Sequence, residues 1–470
     1  MCAAAVFPAT QRLAEFAATL RYAELPATVR AQIGVLLIDF FRVAAVGASA
    51  PWVARLRSAF APLGGSALAA VVYSDKRTDP VRAAYLNGVI AGSLDWDDTH
   101  VGAMLHPGVV VWPAALAVGE MTGADGRSVT AAAAAGYETM IRVGLSVQPS
   151  HFRRGFQSTP TCGVFGAAAA AAKLLGLGVE GTRDALGIAA SYAGGITQFF
   201  VSGSEVKRLH AGKAAAGGVE AALLARAGLT GPRDAIEGEQ GFARAFADGL
   251  DARVIEHGLG RKFRIADLTL KPHAGSARLQ AAVEAACELS RQGIAPAAIK
   301  AVEVGIPAVI EGRLTNSNPL ELQQAQMSVP FAVAMALTLT PERDWPLVLT
   351  LDDFEQSLKD ARVRELARRT VCVRDAEIER ATTTEYVPAR VTLQLADGAR
   401  REHAVWLPPG SPGSPLTADE ICARFRAVVA PLVAPGTDLE TWLGRARAPE
   451  TLASVKELLT LRHRRGEAPR

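Results

Sequence analysis

From residue 8 to about residue 265 this chain reads as one helix after another, and near residue 266 the reading changes. In the first stretch Ala dominates, apolar residues recur at spacings of three and four, and Gly or Pro punctuates the segments. Thr78-Asp79-Pro80 offers a cap and a first-turn proline for a helix over 81–94. On that helix Ala84, Gly88, Ala91 and Asp95 share one face, a stripe of small side chains ending in a carboxylate. The stripe suits close helix packing, or room for a small ligand beside Asp95.

Beyond residue 266 the period shortens. Ile299 to Ile306 alternates as a half-buried strand does, and Thr370 to Val373 is a second candidate. Val391, Leu393 and Leu395 alternate with Thr392 and Gln394, Asp397-Gly398 supplies a turn, and His403 to Trp406 returns, which is a hairpin. Helical segments 275–291 and 327–338 lie between these strands. The run Pro408 to Pro415 is a loop or linker, and Thr417 with Glu420 forms a capping box that reopens helix. The predicted fold is mostly α with an inserted α+β domain. A large all-helical domain takes residues 1–265 and 409–470, and a smaller α+β domain takes 266–408.

A chain of 470 residues exceeds one ordinary core, which agrees with two domains. A net charge of only +3, with no basic stripe interleaved with aromatics, argues against nucleic-acid binding. The tail Arg462-His463-Arg464-Arg465 reads as a solvated terminus. Cys2, Cys162, Cys287, Cys372 and Cys422 are odd in number and never in C-x-x-C spacing, so we expect a reduced, cytoplasmic protein without a structural zinc. Arg12, Glu15 and Arg21 interrupt the N-terminal apolar pattern, which predicts no secretory leader, and Lys173 breaks the Ala-rich run, which predicts no membrane span.

The chemistry concentrates in Leu94-Asp95-Trp96-Asp97-Asp98-Thr99-His100 and the following His106-Pro107. On a continued helix Asp95 and Thr99 would stack one turn apart, with His106 arriving from a loop. A carboxylate, a hydroxyl and an imidazole together can bind and deprotonate a small polar substrate. The bland alternative is a punctuated helix end. Asp-x-Asp-Asp-x-His can also ligate a metal, but no second such cluster lies downstream and we expect neither metal nor organic cofactor. Ser202 to Lys213 holds Lys207, Arg208, His210 and Lys213, which suit substrate carboxylates or a solvated helix start. Lys271-Pro272-His273 falls at the expected domain junction, and His151 to Gln157 carries Arg153 and Arg154.

Several separated stretches resemble the MmgE/PrpD family, which includes 2-methylcitrate dehydratase, cis-aconitate decarboxylase and iminodisuccinate epimerase. They are AAYLNGVIAGSLDWDDTH (83–100), HPGVVVWPAALAVGE (106–120), RGFQSTPTCGVFGAAAAAAKLLGL (154–177), LGIAASYAGG (186–195), GSEVKRLHAGKAAAGGVEAALLARAGLTGP (203–232), QAQMSVPFAVAMAL (324–337) and PPGSPGSPLTADEICARFRAV (408–428). The resemblance implies a helical domain with an α+β lid, a homodimer, and an active site between the domains. It implies that Asp95, Thr99, His106, Lys207 and Lys271 are catalytic, and that Arg208, Gln157, Ser276, His273 and Phe331 contact substrate. Three of these depart from the family pattern. Gln157 stands where histidine is common, Ser276 where cysteine or histidine is common, and Phe331 where tyrosine is usual. Leu279-Gln280 also replaces a Thr-His pair.

The implied activity is a cofactor-free lyase on a small di- or tricarboxylic acid, first of all dehydration of a hydroxy polycarboxylate. Lys207 and Lys271 would clamp carboxylates, His106 and Asp95 exchange protons, Thr99 orient the substrate, and lid closure exclude water. Decarboxylation or epimerisation of a related dicarboxylate is the alternative, and a silent homologue that binds a small acid is the third.

Overall fold

The computed structural model describes residues 7–199, 204–343 and 347–464. Cys2, Ser202, Gly203 and Arg465 lie outside them. The chain forms a large helical unit and a smaller α+β unit. Unit 1 comprises residues 1–93, 97–267 and 417–470, and unit 2 comprises 94–96 and 268–416.

Unit 1 is built from α1 (Ala9–Thr19), α2 (Ala27–Gly47), α3 (Pro80–Ala91), α4 (Gly108–Thr122), α5 (Gly126–Val147), α6 (Ser158–Leu174), α7 (Gly178–Ala190) and α8 (Val206–Arg226). Asp79 caps α3 by accepting from the Arg82 N–H, with Pro80 in the first turn. The helix stops at Ala91, short of the 81–94 that periodicity predicts, because Gly92 ends the apolar repeat. α8 packs on α3, α4, α6 and α7, and α6 also packs on α5. Small residues permit this closeness. A Cβ on Gly88 would lie 2.7 Å from the Gly212 Cα, so the small-residue stripe of α3 serves helix packing. The chain returns after unit 2 as helix Ala418–Val429, opened by the Thr417–Glu420 capping box, and helix Leu439–Arg447, and both pack on α2.

Unit 2 holds a four-stranded mixed sheet. β1 (Ile299–Ile306) runs parallel to β2 (Thr370–Arg374) and antiparallel to β3 (Ala389–Leu395), which pairs with β4 (Arg400–Val405) in the order β2-β1-β3-β4. The β3–β4 hairpin turns at Asp397-Gly398, where Gly398 adopts φ +88°. Helix 280–291 packs on β3 and β4, and helix 329–339 on β2, around a core that includes Val304, Val391, Leu393, Phe331 and Phe354. Phe331 is fully buried there with its ring facing Phe354 at 6.4 Å, so this residue, expected at the substrate, is a core residue. The Pro-Gly run 408–415 belongs to unit 2 rather than opening the next helical part, because Leu270 N–H donates to Gly410 O and Gly410 N–H to Ser414 O. Among the described residues no single helix is long and apolar enough to cross a membrane.

Candidate active site

Within unit 1 the polar groups gather where α4 begins. His100 and Leu105 pair as an isolated bridge, and Met104 turns the chain at φ +55°, which folds 97–99 back toward His106. His106 Nδ1 lies 3.0 Å from Asp97 Oδ2 and 3.1 Å from Thr99 Oγ1, while the Thr99 hydroxyl donates to Asp97 O at 3.3 Å. A carboxylate at that distance makes Nδ1 the donor, which leaves Nε2 as the basic nitrogen of the neutral ring. The His106 N–H donates to Thr159 Oγ1 at 3.1 Å, which ties the segment to the first turn of α6. Asp97 and His106 are also residue types that hold a divalent metal, and unit 1 by itself supplies these two.

Asp98 lies behind this group. Its carboxyl meets the Gly108 N–H at 2.8 Å and the Tyr137 hydroxyl at 2.9 Å. Burial, then the charges of Asp97 and Asp39, push it up to about 8. It is therefore mostly neutral near pH 7, and the charge beside His106 is that of Asp97. Gly108 is required here, because a Cβ would lie 2.7 Å from Asp98 Oδ1 and 2.8 Å from the Tyr137 oxygen.

Lys207 stands in the first turn of α8, half-buried, and His210 follows one turn on. Gln157, buried at the N-cap of α6, accepts from His210 Nδ1 through Oε1. Burial, helped by the Lys207 charge, lowers His210 to about 4, so its ring is neutral. The Arg208 guanidinium lies 3.4 Å over the Trp52 ring, and Trp52 in turn donates to Ser93 Oγ at 2.9 Å. His151 is buried among Phe156, Phe242 and Phe246 and bonds Thr161 at 2.9 Å, a core histidine.

Unit 2 contains Asp95 and Lys271. The fully buried Lys271 Nζ donates to Asp95 O at 2.7 Å and Oδ1 at 3.0 Å. Trp96 Nε1–H donates to Lys271 O at 2.9 Å, and Gln326 Nε2–H to Leu94 O at 2.6 Å. The strip 94–96 is thus held at each residue. Asp95 adopts φ +54°, beyond the end of α3. The helix turn predicted to stack it on Thr99 does not exist, and Thr99 pairs with His106 instead. His273 is locked: Nδ1 accepts from the Leu349 N–H at 3.2 Å and Nε2 donates to Glu284 at 3.1 Å. Ser276 caps a short turn by accepting from the Arg278 N–H, and Gln280 braces the loop through His273 N and O.

Reading the sequence alone missed Asp97, Thr159, Gln326 and the His210–Gln157 pair. Asp97 was visible in the acidic run. The others depend on long-range contacts, which single-sequence periodicity does not carry.

The MmgE/PrpD N-terminal domain model matches residues 11–255 and the MmgE/PrpD C-terminal domain model matches 273–442. The chain belongs to the MmgE/PrpD family. It is 28% identical over 451 residues to the cis-aconitate decarboxylase-like protein oryM of Aspergillus oryzae, covering 91% of each chain. It is 26% identical over 418 residues to the cis-aconitate decarboxylase of Aspergillus terreus, covering 84% of this chain and 83% of the relative. It is 33% identical over 207 residues to that of Homo sapiens, 41% of each.

Proposed function

We propose that this protein is a lyase that decarboxylates a small unsaturated polycarboxylic acid of the cis-aconitate type. The observation that carries this reading is the match to a cis-aconitate decarboxylase-like protein over 91% of both chains. The dehydration that the motifs alone favoured gives way to it. Dehydration next to a carboxylate needs a base for the C–H proton and an acid for the leaving hydroxyl. Decarboxylation needs one proton donor, and a chain with the non-titrating Gln157 beside the His106 segment fits that smaller requirement.

The methylene carboxylate of cis-aconitate lies one carbon from the double bond. When its C–C bond breaks, CO₂ leaves and the bonding pair forms a new C=C. The old π pair then takes a proton at the far alkene carbon. We assign that proton to Nε2 of His106 in its charged form, which Asp97 supports from Nδ1 at 3.0 Å. The neutral ring recovers a proton from water, so each turnover consumes one proton. Lys207, in the first turn of α8, holds a remaining carboxylate. Thr99 keeps the ring in place.

The test is CO₂ release from cis-aconitate with a proton NMR time course in D₂O. The expected product carries one deuterium at the former alkene carbon, and His106→Asn lowers turnover by about 10²- to 10⁴-fold. Formation of a hydroxy acid without CO₂ overturns the assignment in favour of hydro-lyase chemistry.

A further inference from the structure

We infer that His210 is a positioning residue that turns Gln157 into an oriented hydrogen-bond donor for a substrate carboxylate. The inference rests on the decarboxylase reading and names how that site recognises its acid. An amide oxygen can only accept, so its contact with His210 Nδ1 makes the ring the donor and fixes the tautomer. With Oε1 occupied, the Nε2 amide hydrogens must point elsewhere, and among the described residues nothing accepts from them. The Gln157 residue is 7% exposed, and the part left accessible includes its amide nitrogen, so a carboxylate can reach a donor that the buried oxygen end holds in one orientation.

The surroundings hold this arrangement from both ends. The Gln157 N–H donates to Gly195 O at 3.1 Å, and its carbonyl accepts from the Thr161 hydroxyl at 2.9 Å. Phe199 meets the His210 ring edge-on at 5.8 Å. Two residues beyond Gln157, Thr159 receives the His106 N–H, so the donor amide and the proposed proton donor hang from the same helix end. Lys207 lies three residues before His210 on α8 and supplies a cation on that face. A glutamine here cannot move a proton. It can give two N–H groups to a carboxylate.

Four variants test this. His210→Phe keeps a ring against Phe199 but has no donor, and Gln157→Met keeps the length but has no amide. Each is expected to raise KM for cis-aconitate about ten-fold, with kcat changed far less. The double variant should cost no more than either single, because both act through one amide. His210→Asn, whose amide nitrogen stands where Nδ1 does, should recover much of the loss. Additive losses, or a fall in kcat with KM unmoved, overturn the inference. The dissociation constant of tricarballylate, a saturated tricarboxylate with no double bond to assist CO₂ loss, separates this inference from the reading it rests on. Binding weakened about ten-fold by His210→Phe supports the donor role even if wild-type protein releases no CO₂. Equal binding by variant and wild type, or no binding by wild type, refutes it.

Discussion

Two histidines in this chain lie beside carboxylates at nearly the same distance, His106 at 3.0 Å from Asp97 and His273 at 3.1 Å from Glu284. They differ in everything around that contact. The His273 side chain is fully buried and has both ring nitrogens committed, one to Glu284 and one to the Leu349 N–H. The His106 side chain is 17% exposed and is held at Nδ1 by Asp97 and Thr99. The first arrangement fixes a loop, and the second fixes a ring while leaving it reachable from solvent. Proximity of an imidazole to a carboxylate therefore does not identify a proton-transfer group. The second nitrogen and the exposure decide it.

The largest effect should come from unit 2. Lys271→Ala leaves the Asp95 carboxylate without its ammonium, and breaking a buried pair from one side costs about 3–5 kcal/mol. Urea unfolding measures it. A loss near zero would show that the pair is not buried in solution.

The two histidines can be set against each other directly. His273→Phe orphans the Leu349 N–H and should lower stability by about 1–3 kcal/mol while leaving a turnover deficit no larger than its folding loss explains. His106→Phe should do the reverse. If His273→Phe abolishes turnover in a fully folded protein, the contrast drawn above fails.

A more gradual effect, spread over pH, concerns the carboxyl behind His106. A free Asp gives up its proton near 3.8, and Asp98 does so at about 8. Between those values the folded chain holds a proton that the unfolded chain has lost, so the contribution of Asp98 declines as pH rises and is gone above about 8. Asp98→Asn removes that decline. Its stability relative to wild type should climb by on the order of 1 kcal/mol per pH unit from pH 5 to 8. A pH-independent difference would mean that Asp98 is ionised and shares the charge beside the ring.

Much of the fold was legible because its signals are local. The β3–β4 hairpin follows from alternation around Asp397-Gly398, and the helix starts follow from Asp79-Pro80 and from Thr417 with Glu420. The site was legible as a set of residues and not as an arrangement. Gly92 was the available signal that α3 ends, yet Ser93 and Leu94 continue a plausible helix, so Asp95 reads as helical when its backbone is left-handed. Phe331 carries no sequence mark that separates a site aromatic from a core one. The partnership of Gln157 with His210 spans 53 residues, beyond any periodicity.

The strip Leu94–Trp96 has a consequence for how the chain comes apart and comes together. Residues 268–416 look like a self-sufficient insert, but their fold is completed by three residues made long before them. A fragment cut at the apparent boundary would bury the Lys271 ammonium without Asp95 and leave the Gln326 amide without the Leu94 carbonyl, contacts that span 176 and 232 residues. During synthesis the strip must wait for its partners, so the smaller unit cannot finish folding as an isolated module. A short length of early chain thus belongs, by its contacts, to the later unit.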